Sequence, residues 1–216
     1  MPSYTRLALM IASFPVCGVL AAAAPGVIAT WSFDDGGALN KIAGGPAGKV
    51  ERARPADGHA GKALVFEDWS VKNYLKPDPR VATRVVVPHD ARLNPAPPFR
   101  VTAWIYPTAD PVYYGGIVEK GQGYTSSYRL VLLRGLKLEG SLGDPRVSIK
   151  SASPITLNAW HEVALVTDGK SLTLMVDGAQ AAQAALSAPP KPGSTDPLIV
   201  GERFTGSIDE VSLIAD

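Results

Sequence analysis

Apolar and polar residues alternate along much of the chain with the two-residue period of a half-buried strand. In Phe99–Pro107, Phe99, Val101, Ala103 and Ile105 fall on one side, and Arg100, Thr102, Trp104 and Tyr106 on the other. Tyr128, Leu130 and Leu132 oppose Arg129, Val131 and Leu133 in the same way. His161, Val163 and Leu165 oppose Trp160, Glu162, Ala164 and Val166, with either parity able to face a core. The pattern predicts strands over 27–33, 62–66, 83–87, 99–106, 116–120, 127–133, 136–140, 146–151, 160–167, 171–176, 198–201 and 207–214. No stretch sustains a 3.6-residue apolar period. The alanines of 179–186 favour helix, but Gln180 and Gln183 break any face it could bury, so it reads as strand plus loop, with one helical turn as the alternative.

Turn residues separate these runs. Asp168-Gly169 between two alternating segments is a strong hairpin signal, and Arg134-Gly135 joins another pair. Many short strands at this spacing predict an all-β, two-sheet antiparallel sandwich. No long linker or internal repeat divides residues 24–216, which read as one domain. At this length a chain buries roughly 70% of its unfolded surface and folds without covalent staples.

The first residues follow a different rule. Arg6 is the only charge before Asp34, and an Ala/Leu/Val-rich run follows it. A basic start, an apolar centre and a small-residue exit predict a secretory signal peptide over 1–23, cut after Ala23. Pro15 and Gly18 interrupt the run and argue against a retained anchor. The expected destination is secreted or periplasmic, with no membrane insertion after cleavage. Cys17, the single cysteine, lies inside this segment, so neither disulfides nor a thiolate zinc site is expected in the mature chain. Without Arg6 the chain carries twenty basic and twenty acidic residues. That balance, with no basic run, excludes an electrostatic case for nucleic acid.

The ordered pieces resemble a known family. Gly61-Lys62-Ala63-Leu64-Val65-Phe66, Val85-Val86-Val87-Pro88, Phe99–Pro107, Ile117-Val118-Glu119-Lys120-Gly121 and Tyr128-Arg129-Leu130 come first. Trp160-His161-Glu162-Val163, Leu174-Met175-Val176-Asp177-Gly178, Leu198-Ile199-Val200-Gly201 and Gly206-Ser207-Ile208-Asp209-Glu210-Val211 follow. Together they resemble the laminin-G-like/concanavalin A-like jelly rolls over about residues 27–214. The segment 67–82 is longer than the family's usual connection. The resemblance implies a jelly roll of about a dozen strands. It also implies a glycan or polysaccharide partner, with a protein partner as an alternative, and in many members a structural calcium ion where the first and last strands meet.

Asp34, after the first strand, and Asp209, in the last, are the candidate Ca²⁺ ligands, with a backbone carbonyl near Gly61 completing the set. The competing reading makes Asp34-Asp35-Gly36-Gly37 a plain turn and Asp209 a cap. For a sugar, aromatic rings supply stacking faces and arginines satisfy hydroxyls. The candidates are Tyr113, Tyr114, Trp104, Tyr106, Arg100 and Arg129, with Trp104, Tyr106, Arg100 and Arg129 able to share one sheet face. Trp104 is weighed against core packing under a covering loop, and Trp31 and Trp160 are expected in the core. Tyr124 lies on a loop and Trp69 and Tyr74 in the long insertion. His161 is expected to be structural, and His59 and His89 to be surface residues.

Specific catalytic signatures are absent from the sequence. Retaining glucanases of this fold carry Glu-x-Asp-x-x-Glu, which places two carboxylates about 5 Å apart; Glu67-Asp68 and Asp209-Glu210 are adjacent and point oppositely. No Gln-x-His of the alginate-lyase type occurs. A binding module is the reading these residues favour. A polysaccharide hydrolase or lyase drawing its acid and base from loops such as 110–126 is the runner-up, and an envelope adhesive protein the third.

Overall fold

The computed structural model describes residues 26–67, 82–121, 127–144, 146–191 and 193–215. Residues 1–23, where a signal peptide is expected, and with them Cys17, lie outside the described residues, as do Trp69, Tyr74 and Tyr124. The described residues form fifteen strands and one 3₁₀ turn, Ala91–Leu93. The strands are β1 (Gly26–Trp31), β2 (Lys49–Glu51), β3 (Arg54–Asp57), β4 (Lys62–Phe66), β5 (Arg84–Val87), β6 (Phe99–Pro107), β7 (Tyr114–Lys120) and β8 (Tyr128–Leu133). They continue as β9 (Lys137–Leu142), β10 (Val147–Lys150), β11 (His161–Thr167), β12 (Ser171–Val176), β13 (Ala179–Ala185), β14 (Leu198–Val200) and β15 (Gly206–Ala215). Two antiparallel sheets result. The eight-stranded sheet runs β13-β12-β11-β6-β15-β4-β3, with β1 also pairing β15, and the seven-stranded sheet runs β10-β9-β8-β7-β14-β5-β2.

Alternation decides which side chains lie between the sheets. Phe99, Val101, Ala103 and Ile105 of β6 are buried, as are Tyr128, Leu130 and Leu132 of β8 and Val163 and Leu165 of β11. They join Trp31, Phe66, Leu172, Leu174 and Phe204 in one core cluster. The apolar interior this builds is the main source of stability in a chain with a single cysteine. It also settles the β11 ambiguity: the His161 parity faces inward and Glu162, Ala164 and Val166 face out. The segment 179–185 is an edge strand. Two strands escape the sequence pattern, β2 and β3, which are short, polar edge strands; Pro55 is tolerated in β3 because an edge leaves one row of amides unpaired.

The Asp168-Gly169 hairpin forms as its sequence predicts. Gly169 takes φ +83°, and the Asp168 carboxylate accepts from the Lys170 and Ser171 amides at 2.8 and 2.6 Å. Two bulges interrupt the regular ladders. In β7 the register slips between Gly116 and Val118. In β15 it slips between Asp209 and Ser212, where Glu210 adopts φ +47°. Each inserts a residue and reverses the inward parity beyond it.

Candidate functional site

The β7 bulge builds the first candidate site. Beyond it, Glu119 points away from the core and stands opposite Arg129 of β8. Arg129 Nε donates to Glu119 Oε2 at 2.7 Å, with side chains only 12% and 8% exposed. Gly116 makes room: a Cβ there would overlap the Glu119 carboxylate. Burial pushes the Glu119 carboxyl up against the pull of Arg129. Burial likewise works against the charge on Arg129, but the charge and hydrogen bond of Glu119 outweigh it and leave the guanidinium more basic than usual.

Tyr114, at the start of β7, lies over this pair. Its ring centroid is 5.2 Å from the Arg129 guanidinium and 5.0 Å from that of Arg203, within cation–π range. Burial and the Glu119 charge push its hydroxyl up to about 12, so the phenol stays neutral near physiological pH. Tyr113 packs edge-on against it at 5.9 Å and is 62% exposed. Its loop is braced on the β8–β9 turn: Asp110 Oδ1 accepts from the Gly135 amide at 2.8 Å, and the Tyr113 carbonyl from the Arg134 amide at 3.1 Å. Tyr113, Tyr114 and Arg129, together with Arg134, Glu139, Arg146 and Lys150, line an open cleft of about 630 Å³ on the outer face of the seven-stranded sheet.

The opposite face of the sandwich holds the other aromatic candidates. Arg100, Trp104 and Tyr106 project outward from β6 in the eight-stranded sheet, whereas Arg129 projects from β8 in the other. The expectation that all four share one face is therefore corrected: parity within a strand does not tell which sheet the strand joins. Trp104 is half-buried and outside the core, yet it is covered. His59, from the β3–β4 turn, stacks on the indole with centroids 3.4 Å apart and planes 9° off parallel. Trp160 is not a core residue either; it is half-buried on this face, 5.5 Å from Tyr106 and 6.1 Å from His59. Trp31 is buried as expected. A shallow groove of about 550 Å³ continues along this face past Arg100, Thr102, Glu162 and Met175.

The same β3–β4 turn brings Asp34, Gly61 and Asp209 together. Asp34 Oδ1 accepts from the Lys62 amide at 3.1 Å, and Oδ2 from the Ser32 hydroxyl at 2.6 Å and Lys41 Nζ at 3.2 Å. Gly61 at φ +64° passes so close that a Cβ would strike Asp34 Oδ1. Asp209 is fully buried and accepts from the Ala60 amide at 3.0 Å and the Glu210 amide at 2.8 Å. Burial pushes Asp209 up, with repulsion from Asp34 adding to it, and burial together with repulsion from Asp209 and Asp34 raises Glu210. Hard oxygen donors that repel one another are a donor set suited to calcium. Among the described residues, however, no three His, Cys, Asp or Glu side chains are grouped as a metal cluster, so any cation here would need backbone carbonyls.

His161 is structural in its contacts. Nδ1 lies 2.8 Å from Asp177 Oδ2 and Nε2 lies 2.8 Å from Thr156 Oγ1, tying the start of β11 to the β12–β13 turn. His89 is exposed and meets the buried Lys120 ammonium at 3.3 Å. The remaining charged cleft residues, Arg134, Glu139, Arg146 and Lys150, and the Glu119 carboxylate beneath Arg129, were not apparent from the sequence. Alternation in β8 and β9 marks Arg129 and Glu139 as outward, but the bulge conceals Glu119.

A sequence model described as the concanavalin A-like lectin/glucanases superfamily matches residues 80–215. The chain belongs to this superfamily. No curated protein matches it in sequence. Among solved structures, domain 4 of AbnA, a GH43 extracellular arabinanase from Geobacillus stearothermophilus in complex with arabinotriose, superposes with a TM-score of 0.68 at 16% identity. That match covers 88% of this chain and 93% of that one. The binding domain of Paraclostridial Mosquitocidal Protein 1 gives 0.68 at 12% identity, over 87% and 48%. Botulinum neurotoxin type C, whose cell entry depends on interaction with two ganglioside molecules, gives 0.67 at 9%, over 87% and 47%. The superfamily chain thus spans nearly all of the arabinanase domain and about half of each toxin chain.

Proposed function

We propose that this protein is a glycan-binding module whose ligand seats in the cleft on the seven-stranded sheet. The observation that carries the reading is the Tyr113–Tyr114 pair: one ring exposed, the other clamped by guanidinium groups, on a loop braced by two hydrogen bonds. A sugar ring stacks its C–H face on such an aromatic surface while arginine donors take its hydroxyls. Preorganisation matters here because an already ordered loop loses little entropy on binding. The structure of a similarly folded domain in complex with arabinotriose lends the reading support.

Binding is favoured over hydrolysis by the carboxylates of this face. Glu119 is nearly closed to solvent beneath Arg129 and does not line the cleft, and Glu139 is ion-paired with Lys150. Most glycosidases set two carboxyl groups on either side of the scissile bond, and this cleft is lined by one, Glu139. A glycan array followed by incubation of each hit tests the reading. Uniformly flat binding would remove the module, and cleavage of a hit would replace it with an enzyme.

The calcium reading is a separate proposal. Asp34 and Asp209, with carbonyls of the β3–β4 turn, would hold the ion and fasten the first and last strands. Calcium is expected to raise the melting temperature and a chelator to lower it; identical melting curves would remove the ion. Export after cleavage at Ala23 is likewise proposed, and N-terminal sequencing of the exported protein should begin at Ala24.

A further inference from the structure

We infer that the cleft selects an acidic glycan, one carrying a carboxylate or sulfate on the ring beside the face that stacks on Tyr113. The inference rests on the reading of this cleft as a glycan site. Four of its lining residues are cationic, Arg129, Arg134, Arg146 and Lys150, against one anion, Glu139. The whole chain carries a formal net charge of only +1, so the fold gathers this charge from separate strands and turns.

The countercharges of Arg129 and Lys150 leave Arg134 in excess. Glu119 neutralises Arg129 from beneath, through one of the five donors a guanidinium offers. Glu139 meets Lys150 at 3.5 Å with the Lys150 side chain 58% exposed, a pair that solvent weakens. Arg134 is exposed on the β8–β9 turn and makes no ion pair with a described residue. A site for neutral sugars mixes donors with acceptors for hydroxyl groups. This one is short of acceptors and rich in donors shaped to fork onto an anion. The groove on the other face provides an internal contrast: Arg100 and Glu162 balance there. Glu119 then acts as a positioning residue, holding Arg129 charged and aimed beside Tyr114.

Titration calorimetry with defined probes tests this. Oligogalacturonate supplies a carboxylate, chondroitin sulfate oligosaccharide adds sulfate, and methyl-esterified oligogalacturonate and arabinotriose are neutral. Poly-glutamate supplies charge without sugar. At least one acidic probe should bind about tenfold or more tighter than the methyl ester and weaken as salt is raised. Which of the two binds identifies the anion. Arg134→Glu should weaken that binding about tenfold with an unchanged melting temperature, and Tyr113→Ala should weaken it while leaving its salt dependence intact. Equal binding of the methyl ester or arabinotriose would overturn the acidic selectivity and leave the glycan module standing. Binding of poly-glutamate as tight as oligogalacturonate would overturn sugar recognition. An Arg134→Glu protein that binds the acid normally would overturn the assignment to this cleft. If neither these probes nor any array glycan binds, the module reading falls as well.

Discussion

Glu119 and Arg129 face each other across β7 and β8 on the outer surface of a sheet, yet both are nearly closed to solvent. The pair is therefore sensitive to losing one member. Glu119→Gln leaves the guanidinium without a countercharge and should cost about 3 kcal/mol in urea unfolding. Glu119→Gln with Arg129→Met removes the stranded cation and should be less destabilised than Glu119→Gln alone. If the double variant equals the sum of the two single losses, the residues are not coupled.

Why this pair escaped the sequence is a matter of register. The alternation of β6 and β8 gives inward and outward faces directly, because each strand is half-buried and unbroken. Glu119 lies beyond an inserted residue, and only the partner strand reveals that its parity has reversed. Arg100 and Arg129 look equivalent in sequence, and pairing places them on opposite sides of the molecule. The aspartates at Asp34 and Asp209 were legible for the opposite reason. The first and last strands of a jelly roll are neighbours, so their ends must meet. The His59–Trp104 stack depends on the conformation of one turn, which no periodicity encodes.

Asp34 gives a pH signature. Hydrogen bonds from Ser32 and the Lys62 amide, with Lys41, lower its carboxyl to about 2 from 3.8. A folded value below the unfolded one contributes stability that is present above 3.8 and is lost as pH falls through about 2. Asp34→Asn should therefore melt below the parent at neutral pH, in chelator, and the gap should close on acidification across that window. A gap independent of pH would mean that the charge of Asp34 is not involved.

The β12–β13 turn depends on Asp177. Its carboxylate accepts from His161 and, at 3.0 Å, from the Glu162 amide, while its backbone sits at φ +50°. Asp177→Ala loses both bonds and keeps a conformation that alanine disfavours, so a loss of about 2 kcal/mol is expected by chemical denaturation. Asp177→Asn retains an acceptor and a residue tolerant of the left-handed region, and should lose less.

His59 controls what Trp104 presents to solvent. His59→Ala removes the imidazole stacked at 3.4 Å. Because the histidine is exposed, stability should change little, but tryptophan emission should shift to the red as one indole face becomes wet. An unchanged spectrum would mean that the turn still covers the ring without its side chain.

Tyr128 is the weak point of the core. Its ring packs 5.8 Å from Phe99 between the sheets, and its buried hydroxyl has no hydrogen-bond partner among the described residues. Burial alone pushes that hydroxyl's pKa up, so it remains a neutral, unsatisfied dipole. An unpaired buried hydroxyl costs about 1–3 kcal/mol in desolvation, which a paired one would recover. Tyr128→Phe keeps the ring and its packing while removing the polar atom. It should leave stability unchanged or raise it by about 1 kcal/mol, against the usual direction of core substitutions. A loss of more than about 1 kcal/mol in urea unfolding would show that the hydroxyl has a partner in solution, most simply an ordered water in the core.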